Sequence, residues 1–246
     1  GLPQVWPAQP DCSGLWDLPK QLNRDGPCKR GALCQVRVQG ITDRNMADFV
    51  VLDELSDMDP RVFFSQMIGG SSKARKPLSK EFRNASAGRC VWYCKDWMFG
   101  EWEPKWIEDL QRALPSRLRP RNPFDLLGGL EGDAKVDVMM AYLGVGGTRT
   151  PLHLDKAASN AYNCVVWSET PESCKRWWIF HRDDCDTLNA HIRASTQSDS
   201  FLQEDVHWID PAEFEGIQGM KHPAYSFEQA LGELVIVPHN SPHCVI

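Results

Sequence analysis

The chain has 246 residues, 42% apolar and 24% charged, with ten Trp and ten Phe, which excludes a mostly disordered protein and supplies bulk for a large core. No apolar run reaches the roughly 20 residues of a bilayer-spanning helix, and the first residues lack a signal-peptide layout. The net charge of −6 (27 basic, 33 acidic) argues against whole-chain attraction to nucleic acid or an anionic membrane.

The nine cysteines are odd in number and scattered, which suits a reducing compartment better than a secreted disulfide scaffold. The close pairs, Cys28 with Cys34, Cys90 with Cys94 and Cys185 with His191, lack the C-x2-C spacing of a strong zinc signal. Cys164 and Cys174 read as small buried residues on core strands. The opening Gly1 and the stop at Ile246 suggest a piece of a longer protein.

Residues 1–31 read as an irregular arm rich in Pro, Gly and Asp, anchored by Trp6 and Trp16. Alternation predicts strands at Cys34 to Val38, Phe49 to Leu52 and Cys90 to Cys94. Helices are expected at Pro60 to Met67 and Pro104 to Leu114, with a basic loop between Gly69 and Pro77. A long connection spans 115–133. From Val136 on, five short apolar segments are separated by turn residues or insertions. They are Val136 to Leu143, Ala161 to Trp167, Arg176 to Phe180, Val206 to Ile209 and Glu233 to Val237, and they favour an antiparallel barrel or sandwich. Asp184 to Ala194 reads as an inserted helix, and Pro211 to Ile217 as a shorter one. The division expected is 1–135, an arm with a mixed α/β region, and 136–246, the β core, both within one structural unit.

The strongest chemical signal is Thr150-Pro151-Leu152-His153-Leu154-Asp155. On an extended strand, residues two apart share a face, so His153 and Asp155 project together. They supply two ligands of a 2-His-1-carboxylate triad, which leaves metal positions open for substrate and oxygen. A third ligand has to come from a distant strand. Gly232 to Pro238 is an apolar strand and turn leading to His239 and His243. His239 sits in the turn, whereas His243 opens Cys244-Val245-Ile246 and can be oriented by a strand ladder. His243 is the preferred ligand.

Together, Tyr142 to Asp155, Asn163 to Phe180 and Gly232 to Val245 resemble a JmjC (jumonji) domain of the cupin superfamily. The resemblance implies a mainly β fold with α: a double-stranded β-helix (jelly-roll or cupin barrel) with outer helices and an N-terminal mixed α/β region. It implies an oxygenase using iron(II), 2-oxoglutarate and O2, with His153, Asp155 and His243 as metal ligands and catalytic centre. It assigns 2-oxoglutarate contacts to Thr150, Asn163, Lys175 and Tyr142. Strand alternation lets only one of Lys175 and Arg176 face the site. The hairpin from Ser168 to Cys174 is longer than is usual for such domains.

Tyr93-Cys94-Lys95-Asp96-Trp97 resembles an element found ahead of the core in some jumonji proteins, and reads as a strand end with an anchoring Trp. By resemblance, the expected activity is protein lysine demethylation, with a basic histone tail as substrate and the nucleus as location. A hydroxylase or a non-catalytic chromatin scaffold are the alternatives. Asp199, Glu204 and Asp205 could receive a basic tail, although a solvated loop is the simpler reading.

Overall fold

The computed structural model describes residues 2–6, 34–41, 49–58, 89–98, 114, 116, 119, 123, 130–131, 140–144, 146–155, 159–168, 170, 172–196, 202 and 208–246. The helices expected at 60–67 and 104–114 and the loops at 69–77 and 195–205 lie wholly or largely outside them. What is described is mostly β-sheet, with strands β1 (Gln4–Trp6), β2 (Cys34–Ile41), β3 (Phe49–Met58), β4 (Arg89–Met98), β5 (Met140–Gly144), β6 (Thr150–His153), β7 (Ala161–Cys164), β8 (Lys175–Ile179), β9 (Tyr225–Gln229), β10 (Leu234–Val237) and β11 (His243–Val245). They form three antiparallel sheets, ordered β1-β10-β7, β6-β11-β8-β9 and β3-β2-β4-β5. A 3-10 turn at Arg182–Asp184 leads into helix α1 (Cys185–Thr196), and a second 3-10 turn covers Pro211–Gly216.

Strand alternation divides the buried side chains into two layers. On β8, Trp177 and Ile179 point inward and pack with Val235 and Val237 of β10. Trp178 and the following Phe180 point outward, onto Leu188 and Ile192 of α1, Ile209, Phe214 and Ile217. Asp210 caps the second 3-10 turn through the N–H of Ala212, and Pro211 occupies its first turn.

Several expectations are corrected. Gln4–Trp6 is not irregular: it pairs with Leu234 to Ile236. The strands begun at Phe49 and Cys90 run on to Met58 and Met98. The segment from Ala161 to Trp167 is regular only to Cys164, after which Val165 bonds to the turn through Glu233 O and Gly232 N. Gly232 takes a positive φ of 84° in that turn, a conformation glycine adopts without a Cβ penalty. Trp208 and Ile209 are not in a strand. Cys174 is exposed and precedes β8, and Cys164 is only half-buried. Strand β9 was not anticipated. Its Tyr225-Ser226-Phe227-Glu228-Gln229 alternates, but the strand lies at a sheet edge with polar residues outward, so no apolar run marks it.

Gln229 is fully buried and joins two sheets. Its Oε1 accepts the indole N–H of Trp177 at 2.9 Å, and its Nε2 donates to Asn163 O at 2.7 Å and Glu233 O at 2.9 Å. Gln229→Leu removes all three hydrogen bonds. The expected loss is about 2–4 kcal/mol of stability, read by chemical denaturation.

Candidate metal centre and anion pocket

Three strands of one sheet assemble the first cluster. His243 opens β11 and lies in register with His153 at the end of β6 and with Ile179 of β8. The imidazole centroids of His153 and His243 are 4.2 Å apart. Asp155, two residues beyond His153, places its carboxylate oxygens 3.9 Å from Nε2 of each histidine. These separations are too long for hydrogen bonds and leave room for an ion among the three ligand atoms.

The other ring nitrogen of each histidine is committed. His153 Nδ1 lies 2.8 Å from Pro151 O, and His243 Nδ1 lies 3.0 Å from Ser241 O. A carbonyl only accepts, so each Nδ1 is the donor, and in the neutral ring the Nε2 lone pair is turned toward the cluster. This backbone fastening fixes tautomer and ring plane, as around metal-binding histidines. Trp177, stacked on His243 at 5.9 Å, adds a wall that Gln229 holds in place. Two neutral imidazoles and a carboxylate on one side suit iron(II) and other divalent first-row metals. His239 is elsewhere: its Nε2 meets Arg182 Nη1 at 2.8 Å, and its N–H donates to Asn160.

A bulge brings Thr150 to the same side. Simple alternation would put Thr150 and His153, three residues apart, on opposite faces. On β11, however, His243, paired with His153, and Val245, paired with Thr150, are only two positions apart. The extra residue on β6 resets the facing, so Thr150 shares the inner face with both histidines. Its Oγ1 is 3.0 Å from Tyr93 Oη on β4.

Lys175 also points inward, in phase with Trp177 and Ile179. Arg176 turns outward and pairs with Glu228. Lys175 Nζ donates to Asn163 Oδ1 at 3.2 Å, across from β7. Although the residue keeps some accessible surface, its ammonium is desolvated, which lowers its pKa to about 8 despite the opposing effect of Cys164. Among the described residues no carboxylate pairs with it. A buried cation without a counter-ion is costly, so this is a place for a ligand's anionic group.

Tyr142 takes another position. It is part-exposed, stacks on Tyr93 at 6.3 Å and donates its hydroxyl to Asp96 Oδ1 at 2.8 Å. Desolvation first, then the Asp96 carboxylate, push its phenol above the usual tyrosine range. Asp96 reaches it from a bulge on β4, with a positive φ of 54°. Tyr142 is thus one aromatic layer removed from Thr150, with Tyr93 between them.

Sequence reasoning gave Tyr93 and Gln229 no role. Tyr93 lay in a motif read as structural, and only the pairing of β4 with β5 shows what it touches. Tyr93→Phe removes the contact to Thr150 without opening a cavity. It is expected to raise the apparent Kd for an oxo-acid ligand by about 3–10-fold, the value of one hydrogen bond, with the melting temperature nearly unchanged. Cys244, behind His243, faces the outer core, and burial pushes its thiol upward.

Comparison with known proteins agrees with this geometry. Over 146 residues, 58% of this chain, the sequence is 25% identical to C-module-binding factor A of Dictyostelium discoideum. The matched part of that relative is 14% of its length. The family profile described as "JmjC domain, hydroxylase" matches residues 140–246, which contain both histidines, Asp155, Thr150, Asn163 and Lys175. Residues 140–246 of the chain thus match the JmjC family, which is consistent with a JmjC protein of the cupin superfamily.

Proposed function

We propose that this chain is an iron(II)- and 2-oxoglutarate-dependent dioxygenase that oxidises N-methyl groups on protein lysines, with a basic peptide such as a histone tail as substrate. The observation that carries the reading is the pairing of two features on one inner surface. One is the His153, Asp155 and His243 cluster with both Nε2 lone pairs directed inward. The other is the desolvated Lys175, held by Asn163 and lacking an acidic partner among the described residues. A five-carbon oxo-diacid has one end for each. The sheets β1-β10-β7 and β6-β11-β8-β9, which share the inner core and are tied by Gln229, are read as the two walls of a double-stranded β-helix.

Iron(II) with 2-oxoglutarate and O2 supplies an oxidant for C–H bonds when bound. The chain's own residues do the rest. His153, Asp155 and His243 would hold the metal, and backbone carbonyls keep their rings in one tautomer. Lys175 and Thr150 would grip the distal carboxylate, while Asn163 orients the ammonium. Trp177, Ile179, Val235 and Val237 line the interior with apolar surface and exclude water. Tyr142 and Asp96 would form part of the rim met by the substrate.

The net charge of −6 favours a basic peptide over nucleic acid. A nuclear location is part of the proposal, supported by a relative named as a binding factor. No helix among the described residues is long and apolar enough to cross a membrane. Carbon hydroxylation is the second reading, because the matched family is described as a hydroxylase. The test is succinate formation from 2-oxoglutarate over a panel of methylated histone peptides. Peptide-dependent succinate with equal formaldehyde is expected. Succinate without formaldehyde would replace demethylation by hydroxylation, and no turnover by iron-loaded protein would leave a non-catalytic module.

A further inference from the structure

A second cluster of metal-ligating side chains stands outside the inner core, where the chain leaves β8 and later enters β9. These strands pair at Ile179 with Tyr225, so the residues just beyond them are brought together although far apart in sequence. His181 and His222 meet there with ring centroids 4.1 Å apart, and Asp183 lies between them. Asp183 Oδ2 is 3.5 Å from His181 Nδ1 and 3.8 Å from His222 Nε2.

The geometry points to a second divalent-metal site, of the zinc class, formed by His181 Nδ1, Asp183 Oδ2 and His222 Nε2, with its remaining position open to water. Four observations carry it. First, both contacts lie within ion-pair range but beyond good hydrogen-bond length, so the three ligand atoms are gathered without being joined. Around a tetrahedral zinc, bonds near 2.1 Å would put neighbouring ligand atoms about 3.4 Å apart, which a small inward movement reaches. Second, His181 Nδ1 accepts the Asp183 N–H at 3.3 Å, so it is the unprotonated nitrogen, and an ion there would take the place of this long hydrogen bond.

Third, the frame is built without the ion. Asp184 is fully buried, its carboxylate accepts the N–H groups of Lys221 and His222 at 2.7 and 3.2 Å, and its own N–H donates to His181 O. Both histidine backbones are thus pinned to one residue. Fourth, the carboxylate divides its work. Oδ1 faces Arg182 Nε at 3.8 Å, whereas Oδ2 faces the two imidazoles. Arg182 is also turned toward His239. The neighbouring Cys185 is not a ligand: its Sγ–H is directed at Asn240 O. Two imidazoles and one carboxylate match zinc's preferences.

Such an ion would clip together the two ends of the excursion from 182 to 221, which carries α1 and the outer core. The site shares no ligand with the His153 cluster, and its existence does not depend on the function proposed above. The test is zinc binding by competition with a chromophoric chelator. The unaltered chain is expected to take up two equivalents. The His153→Ala/His243→Ala variant should retain one, together with a zinc-dependent rise in melting temperature. Adding Asp183→Asn or His222→Ala should weaken this remaining site roughly 100-fold and remove the rise. Asp183→Asn is nearly isosteric and keeps the test decisive if His222→Ala does not fold. In the unaltered background it should reduce two equivalents to one. Zinc uptake indifferent to both substitutions, or no zinc bound by a His153→Ala/His243→Ala variant that folds normally, would leave a histidine–carboxylate cluster only and overturn the proposal.

Discussion

Replacing His243 by alanine is expected to abolish 2-oxoglutarate turnover and to lower iron(II) affinity by at least roughly 100-fold. The expectation rests on its place in the sheet. His243 is 4% exposed, in register with His153, stacked on Trp177 and bound through Nδ1 to Ser241 O. His239, four residues before it, is turned to Arg182 instead. The substitution also leaves a gap beside Trp177 and a carbonyl without its donor, for a stability loss of about 1–3 kcal/mol. His153→Ala should match it in turnover. Iron(II) affinity, measured anaerobically, separates ligand loss from misfolding when read beside circular dichroism. Near-normal iron binding by a folded His243→Ala protein would remove His243 from the metal centre.

Lys175 carries the second large effect. Lys175→Met should raise the KM for 2-oxoglutarate by roughly 100-fold or more, because a buried carboxylate would lose its cation. The same substitution should stabilise the free protein by about 1–2 kcal/mol at neutral pH, since it removes an unpaired buried charge. Opposite signs in affinity and stability mark a residue kept for a ligand.

The pH dependence follows from the lowered pKa of about 8. Among the described residues, the Asn163 amide, which does not titrate, bonds to the ammonium, and the Cys164 thiol acts on it through its charge. Between about pH 8 and the ordinary lysine value of about 10.4, the unfolded chain holds the proton that the folded chain has released. Stability of the free protein should therefore rise with pH across that window. Below it both states are protonated, and the penalty for burying the charge is fully present. Ligand binding has the opposite sign. A dianion prefers the charged lysine, so 2-oxoglutarate affinity should fall above about pH 8, by up to about tenfold per unit. In Lys175→Met both slopes should vanish. Calorimetric titration in buffers of different ionisation enthalpy checks the proton uptake.

Much of the centre is legible in the sequence, because its geometry is local. His153 and Asp155 are two residues apart on an extended segment, and Lys175 and Arg176 must face opposite ways on a strand. What was not readable depends on register. The bulge that turns Thr150 to the inner face is visible only when β6 is paired with β11. Strand β9 hides because Ser226 and Glu228 interrupt its apolar residues, and with it went Gln229, whose three hydrogen bonds join elements far apart in sequence. The expectation that Cys174 is buried failed because the hairpin ends one residue before β8 begins. The close cysteine pairs carry no strong zinc signal, whereas the second His/Asp cluster uses His222, 39 residues beyond Asp183. Short spacings report one strand or one turn, and a site made by two sheet ends leaves no such mark.

The central claim is that one inner surface holds iron(II) at His153, Asp155 and His243 and the distal carboxylate of 2-oxoglutarate at Lys175. The most direct measurement is an anaerobic titration of iron(II)-loaded protein with 2-oxoglutarate, followed by the visible charge-transfer absorption of a chelated oxo-acid. The account predicts a saturable band with one iron and one 2-oxoglutarate per chain, absent in His243→Ala and shifted to much higher 2-oxoglutarate concentration in Lys175→Met. An identical titration in the Lys175→Met protein, or no band from unaltered protein that binds one iron, would contradict it.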